Sequence, residues 1–312
     1  MAAAISIILP VYNGMPYLKH AVQSVLKQEF EDFEFIILDD CSTDGSWEYL
    51  QAVADSRIKL MRNEKNLGLF PNLNFLIRQS SAPLIKLWSQ DDVMYPGCIN
   101  SIIKFHGQHP QIGFSYTGRD FIDEAGTVTH VHNNDATPEI VSKELHAAIA
   151  CFTGSIAGNI ANVTISRQAL DECGLFNEQM KISGDFEMWV RLSLKFPIGF
   201  ISSNLIQLRN HTGQLSRQEQ YYIYHMQEDL EAYKILFGGL TPLQQAKGRK
   251  LLCRHKLMFY YTLMVKAFFK GHIKTGIGFM KPLHRFANIF LLTVLYLKTK
   301  ISGRGKFAME PL

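Results

Sequence analysis

Cysteine is scarce and scattered in this chain. Five residues (Cys41, Cys98, Cys151, Cys173 and Cys253) occur among 312, and no two form a CxxC pair. An odd, dispersed set excludes a disulfide framework, offers no zinc-binding spacing and points to a reducing compartment, the cytoplasm. Long apolar runs are also missing. The most apolar C-terminal stretch, residues 286–297, lies between Arg285 and Lys298 and is well short of the ~20 residues that cross a bilayer. Met1-Ala2-Ala3-Ala4 places no basic residue before the first apolar run, which stops at Pro10, so no secretory signal is expected. No GxGxxG follows that run, which removes the dinucleotide-binding fingerprint. Repeats and low-complexity stretches are absent, and 47% hydrophobic residues exclude a disordered chain.

Acidic residues are nearly absent from the last quarter of the chain. Residues 232–312 hold 15 Lys and Arg against the single acid Glu310, whereas residues 1–231 hold 17 against 27. The overall charge of +4 therefore hides an acidic body and a strongly basic tail, with the boundary near Gly238-Gly239. A basic segment rich in Phe, Leu and Tyr suits an anionic membrane surface or an acidic partner; it also suits a solvated helical subdomain or a dimerisation arm. No nucleic-acid motif accompanies the charge, and the acidic body opposes such a partner.

Apolar runs at 5–9, 33–38, 58–61, 84–88 and 112–116 alternate with helically spaced segments at 17–27, 46–53, 69–77 and 96–109. Strand–helix alternation predicts an α/β fold with a doubly wound, mostly parallel sheet. Beyond residue 118 the alternation fades. Asp123-Glu124-Ala125-Gly126 reads as a hairpin turn, 139–152 as a helix, 160–165 as a strand, 167–173 and 185–195 as helices, and 198–208 as an extended run. From about residue 240 the pattern is helical. The expected organisation is a main body, 1–231, with halves at 1–117 and 118–231, followed by a basic helical segment, 232–312.

Two apolar runs end in paired carboxylates: Phe35-Ile36-Ile37-Leu38 enters Asp39-Asp40, and Leu84-Ile85-Lys86-Leu87-Trp88 enters Ser89-Gln90-Asp91-Asp92. Paired acids at one sheet edge repel unless a cation or hydrogen-bond donors lie between them. In doubly wound sheets ligands bind at the carboxyl ends of the strands, which is where Pro10–Asn13 and both acid pairs emerge. A divalent cation with a nucleotide would satisfy both pairs. Each pair also suits turn or helix capping.

These residues carry a resemblance. Ile7-Ile8-Leu9-Pro10-Val11-Tyr12-Asn13, Asp39-Asp40-Cys41-Ser42-Thr43-Asp44-Gly45, Asn66-Leu67-Gly68, Asp91-Asp92, Gly184-Asp185-Phe186-Glu187-Met188-Trp189 and Arg209-Asn210-His211 through Ser216 resemble, in order and spacing, family 2 glycosyltransferases of the GT-A fold. The likeness covers roughly residues 5–217. Ser89 and Gly184 stand where many members carry acids. The resemblance implies an inverting, metal-dependent transferase moving a sugar from a nucleoside diphosphate sugar, with UDP preferred, to a hydroxyl of a glycan or lipid-linked acceptor in bacterial cell-surface polysaccharide synthesis. It implies nucleotide contacts from Pro10, Val11, Tyr12, Asn13, Asp39, Asp40, Asn66 and Asp91, with Lys65 at the border. Mn²⁺ or Mg²⁺ falls to Asp92 and His211, with Asp91 as the alternative carboxylate. Asp185 becomes the catalytic base; its place at a helix start would hold it ionised. Tyr12 suits either stacking or core packing, His211 a structural role, and Arg209 or Arg217 a cationic one. Arg191 also suits an ion pair with Glu187 one helical turn away. The tail is expected to dock peripherally on the cytoplasmic leaflet. A nucleotidyltransferase would share the acid-edged sheet but needs a Gly-rich basic loop after the first strand, and Asn13-Gly14-Met15-Pro16 is poor in both. A non-enzymatic, basic-tailed membrane-binding protein is the remaining reading.

Overall fold

The first strand, β1 (Ile5–Val11), is buried along almost its whole length because it lies between two parallel neighbours, β2 (Phe33–Asp39) and β4 (Leu84–Leu87). Parallel strands covered on both faces require mostly apolar runs, and these segments are apolar apart from Ser6, Glu34, Asp39 and Lys86. The computed structural model describes residues 3–131, 135–213, 221–302 and 311–312. Ser216 and Arg217 lie outside the described residues.

The chain forms two compact units, interleaved in sequence. The first comprises residues 1–141, 157–181 and 195–214. Its sheet runs β3 (Ile58–Arg62), β2, β1, β4, β9 (Val163–Ser166), β6 (Phe114–Ile122), β10 (Ile198–Arg209) and β5 (Val93–Met94), with β7 (Val128–Val131) on β6 and β8 (Ile140–Val141) on β10. The β3–β2–β1–β4 half is parallel throughout. β9 then runs antiparallel to both β4 and β6, while β10 is parallel to β6. β1, β2, β3, β4, β6 and β10 therefore deliver their carboxyl ends to one edge. Helices α1 (Leu18–Leu26), α2 (Ser46–Ala52), α3 (Leu69–Gln79), α4 (Cys98–Gln108) and α6 (Arg167–Cys173) flank the strands. Leu18, Val22 and Val25 of α1 pack with Ile7, Leu9, Phe35 and Trp88 in one apolar core.

The second unit comprises residues 142–156, 182–194 and 215–312. It is helical: α5 (Lys143–Thr153), α7 (Gly184–Ser193), α8 (Tyr222–Gly238), α9 (Pro242–Arg254), α10 (Lys256–Phe269), α11 (Ile273–Phe286) and α12 (Ile289–Ser302). Its core gathers Ala147, Phe186, Val190, Tyr233, Leu236, Tyr260 and Leu283. The charge boundary at Gly238-Gly239 falls in the turn between α8 and α9, inside this unit. Thr241 caps α9 in a reciprocal capping box with Gln244 and Pro242 at the first position.

Several expected boundaries move. The helix expected from residue 96 begins at Cys98, because the Cys98 amide first closes a turn onto the Tyr95 carbonyl. The strand expected at 160–165 opens as a 3-10 turn over Ile160–Asn162, capped by the Asn159 side chain, before β9. The apolar stretch at 286–297 is two helices: Asn288 breaks it and accepts the Phe290 amide at 2.9 Å. The hairpin turn at Asp123–Gly126 is present between β6 and β7, with Gly126 at φ 87°.

Candidate active site

Three loops at the carboxyl edge of the first unit are bonded to one another. Gln90 grips Tyr12 from both sides: the Tyr12 amide donates to Gln90 Oε1 at 2.8 Å, and Gln90 Nε2 donates to the Tyr12 carbonyl at 3.0 Å. Asn13, in the left-handed region at φ 49°, donates its amide to Ser42 Oγ and accepts the Thr43 amide, each at 2.9 Å. The Pro10–Asn13 segment is thereby fixed between the loop after β2 and the loop after β4. Tyr12 is 49% exposed, so it is an available ring and not a core tyrosine. Gly14 lies so close that a Cβ there would meet Gln90 Oε1 at 2.9 Å.

The first acid pair divides its work. Asp40 accepts the Asn63 side-chain amide at 2.7 Å and the Leu67 and Gly68 amides at 2.9 and 3.0 Å. Its carboxylate organises the Asn66-Leu67-Gly68 loop, on which Asn66 and Lys65 are exposed. Asp39 Oδ1 accepts the Ser42 amide at 3.1 Å and pairs with Arg62 Nε at 3.2 Å. Asp39 Oδ2 is buried without a hydrogen-bond partner among the described residues.

The second acid pair meets β10. Asp92 is buried, and its Oδ1 accepts the Arg209 amide at 2.9 Å. Asp91 Oδ2 lies 3.3 Å from His211 Nε2. Arg209, itself buried, donates Nε to the Asp91 carbonyl at 2.9 Å and Nη1 to the Asp123 and Glu124 carbonyls at 2.8 and 3.1 Å. Its guanidinium covers the Tyr17 ring at 4.7 Å, and that ring also meets His211 at 5.0 Å. Of this group Tyr17 has no sequence signal: it precedes α1 and reaches β10 only through the fold. Burial, aided by the Asp91 charge, pushes Asp92 up to about 7 against the Arg209 amide, and burial also raises Asp91 against the attraction of His211 and Arg209. Two acids held above their ordinary range form an edge that a cation would stabilise.

A divalent cation fits this edge. Asp92 Oδ2 is buried without a hydrogen-bond partner among the described residues, and Asp91 Oδ2 faces buried His211 Nε2 at a distance a shared ion would bridge. The described residues offer no cluster of three or more His, Cys, Asp or Glu able to hold a metal alone. That suits a hard cation whose remaining positions go to phosphate and water.

Replacing Arg209 by Met is expected to cost on the order of 3 kcal/mol in urea denaturation, because three backbone carbonyls lose a buried charged donor. Arg209→Lys should recover little of it, since an ammonium lacks the planar fork.

Asp185 belongs to the second unit, where it opens α7. α8 holds the approach to it. Glu228 Oε2 accepts the Ile182 and Ser183 amides at 2.9 and 2.7 Å, and Ser183 Oγ meets His225 Nδ1 at 3.1 Å. Glu187 and Arg191 form the expected i, i+4 pair at 2.6 Å. A group from α8 and α10 supplies the local field: buried Tyr260 donates to buried Asp229 Oδ2 at 2.5 Å, and half-buried Lys256 places Nζ 3.2 Å from the same oxygen. Burial outweighs the helix start and pushes Asp185 up to about 6; the Asp229 charge adds to the rise and Lys256 opposes it. Sequence reasoning missed this trio because its members lie far apart in the chain. Lys256→Met is expected to move the acid limb of any Asp185-dependent rate to higher pH, read from a pH–kcat profile, since it removes a cation that opposes protonation.

Comparison with known proteins supplies the family. Residues 6–168 match the family description "Glycosyl transferase family 2". An uncharacterized glycosyltransferase of Rickettsia felis is 30% identical over 69% of this chain and 35% of its own length. The chain thus spans about a third of the length of that relative. The Escherichia coli protein described as a putative colanic acid biosynthesis glycosyl transferase, WcaA, is 28% identical over 62% of this chain and 67% of its own. Among solved structures, Staphylococcus aureus TarS 1-349 in complex with UDP-GlcNAc superposes with a TM-score of 0.62 at 18% identity, covering 81% of this chain and 71% of that one. The mannosyltransferase PcManGT of Pyrobaculum calidifontis, in complex with GDP-Man and Mn²⁺, does so with a TM-score of 0.57 at 12% identity, covering 98% and 89%. The fold is of the GT-A type, and the chain belongs to glycosyl transferase family 2.

Proposed function

We propose that this protein is an inverting glycosyltransferase that moves a sugar from a nucleoside diphosphate sugar, with UDP preferred, to a hydroxyl of a glycan or lipid-linked acceptor in polysaccharide synthesis. The observation that carries this reading is the Asp91–His211 pair beside buried Asp92, on the edge where the loops carrying Tyr12 and Asp39 are tied together. The named relatives support the class: WcaA is described in colanic acid biosynthesis, and TarS and PcManGT hold nucleotide sugars.

Each residue has a role. Tyr12 offers a ring for the base, and the unpartnered Asp39 Oδ2 offers an acceptor for base or ribose donors. Asp91 and His211 would hold the cation, in place of the Asp92 and His211 expected from the sequence, because Asp92 Oδ1 is committed to the Arg209 amide while Asp91 Oδ2 faces His211. A divalent cation held there would neutralise the departing diphosphate. Asp185 would take the proton of the acceptor hydroxyl as its oxygen attacks the anomeric carbon opposite the diphosphate, which inverts the configuration. A carboxylate titrating near 6 is ionised at neutral pH and still basic enough to serve.

The test is release of nucleoside diphosphate from a panel of nucleotide sugars with Mn²⁺ or Mg²⁺. Metal-dependent turnover of one UDP-sugar is the expected result. Pyrophosphate release from a nucleoside triphosphate, without turnover of any nucleotide sugar, would replace this reading with a nucleotidyltransferase.

A further inference from the structure

Helix α12 is apolar on both sides. Its packed side carries buried Leu292, with Tyr296 against the Tyr261 ring at 5.3 Å and Thr293 bonded to the Tyr261 hydroxyl at 2.8 Å. Its other side carries Phe290, Leu291, Val294 and Leu297, all exposed, with Phe290 at 75% and Leu297 at 56%. That spacing puts them on one stripe. A helix apolar all round is normally enclosed by protein or lipid. No helix among the described residues is long and apolar enough to cross a membrane, and the 14 residues of α12 rise only ~21 Å.

The turn joining α10 to α11 repeats the chemistry. Phe268 lies against Gly276, where a Cβ would come within 2.7 Å of its ring, whereas Phe269 is 90% exposed and Ile273 61%. Lys266, Lys270 and Lys274 surround these side chains and are exposed. The turn is a built one: Gly271 takes φ 75°, and the His272 amide bonds the Ala267 carbonyl at 2.9 Å. Residues 255–302 hold eight Lys and Arg and no Asp or Glu.

We propose that α12 and the α10–α11 turn form a docking surface for an anionic lipid bilayer, with α12 lying in the plane of the headgroups. A second copy of the same face would set the exposed Lys266, Lys270 and Lys274 against their own counterparts, which opposes a symmetric dimer. Nucleic acid would match the charge but leave Phe269, Phe290 and Leu297 in water. An anionic bilayer meets both demands, with negative headgroups over an apolar interior. This surface is independent of the reading of Asp91, His211 and Asp185.

Flotation of the full chain with vesicles of phosphatidylglycerol and phosphatidylcholine tests it. Co-flotation with anionic vesicles at low salt, its loss on pure phosphatidylcholine, and its weakening in high salt are expected. The double variant Phe269→Ser, Phe290→Ser should lower partitioning more than tenfold with an unchanged melting temperature, both residues being exposed. Lys270→Glu with Lys274→Glu should do the same through charge. Failure to float with anionic vesicles at low salt overturns the proposal. So does flotation indifferent to both double variants, or light scattering that reveals a dimer abolished by the serine variant in a protein that ignores lipid.

Discussion

Asp185→Asn is expected to lower kcat by roughly 10²–10⁴-fold, the usual contribution of a positioned general base, with the donor dissociation constant unchanged. The amide preserves size and the acceptor for the Phe186 amide, which Asp185 Oδ1 binds at 2.7 Å, so the helix start survives. Only the basic electron pair is lost. In the parent, kcat should fall about tenfold per pH unit below about 6 and level off above it, because a protonated Asp185 accepts no proton. Stability should move the other way. Burial raises the folded-state value above the unfolded one, so the protonated form is favoured in the native protein, and its contribution is full at low pH and lost as pH rises through about 6. A neutral Asn escapes that loss. Asp185→Asn should therefore melt at a higher temperature than the parent at pH 8, by an amount bounded by ~3 kcal/mol for a rise of about two units, and at nearly the same temperature below pH 4. A variant that turns over like the parent removes Asp185 from the chemistry. A variant that is inactive and also melts lower at pH 8 assigns it to holding α7.

The strand frame of the first unit was legible because parallel strands buried on both faces must be mostly apolar, and 5–9, 33–38 and 84–88 carry one polar residue each, Ser6, Glu34 and Lys86. The short strands β5 and β8, of two residues each, carry no period to read. The partition of α5 and α7 into the helical unit follows from packing of Ala147, Phe186 and Val190 with Tyr233 and Leu236, which no local pattern announces. The acid pairs were visible as residues but not as roles. Asp39 and Asp40 are adjacent in sequence, yet one folds the 63–68 loop while the other keeps a buried oxygen without a partner, a difference set by Asn63, Leu67 and Arg62 arriving from β3 and its loop. Lys86, inside the apolar run of β4, is fully buried and donates to the Ala161 carbonyl, tying β4 to the turn before β9, a partner no local pattern announces. The effect of the helix start on Asp185 was legible, and the larger opposing effect of burial was not, because it depends on how residues from distant helices enclose the carboxyl.

Asp91→Ala should raise the Mn²⁺ concentration needed for half-maximal UDP binding by on the order of 10² or more, and His211→Ala should approach that loss. Both side chains present a ligand atom at one place, 3.3 Å apart, and two protein ligands are enough for a cation that also takes phosphate and water. Asp92 is the contrasting case. Its Oδ1 is committed to the Arg209 amide, and Asp92→Asn keeps that acceptor while removing a buried charge that burial already pushes up to about 7. Its folded-state value is raised, so its stabilising share is present at low pH and lost as pH rises through about 7. Asp92→Asn should accordingly melt higher than the parent at pH 8 without metal, and should weaken Mn²⁺ binding less than Asp91→Ala does. Calorimetric titration of UDP with and without Mn²⁺ separates the two carboxylates, and a chelator should reduce the parent to the Asp91→Ala level. Equal losses in Asp92→Asn and Asp91→Ala, with both proteins folded, would move the cation onto the deeper oxygen, Asp92 Oδ2, which has no hydrogen-bond partner among the described residues.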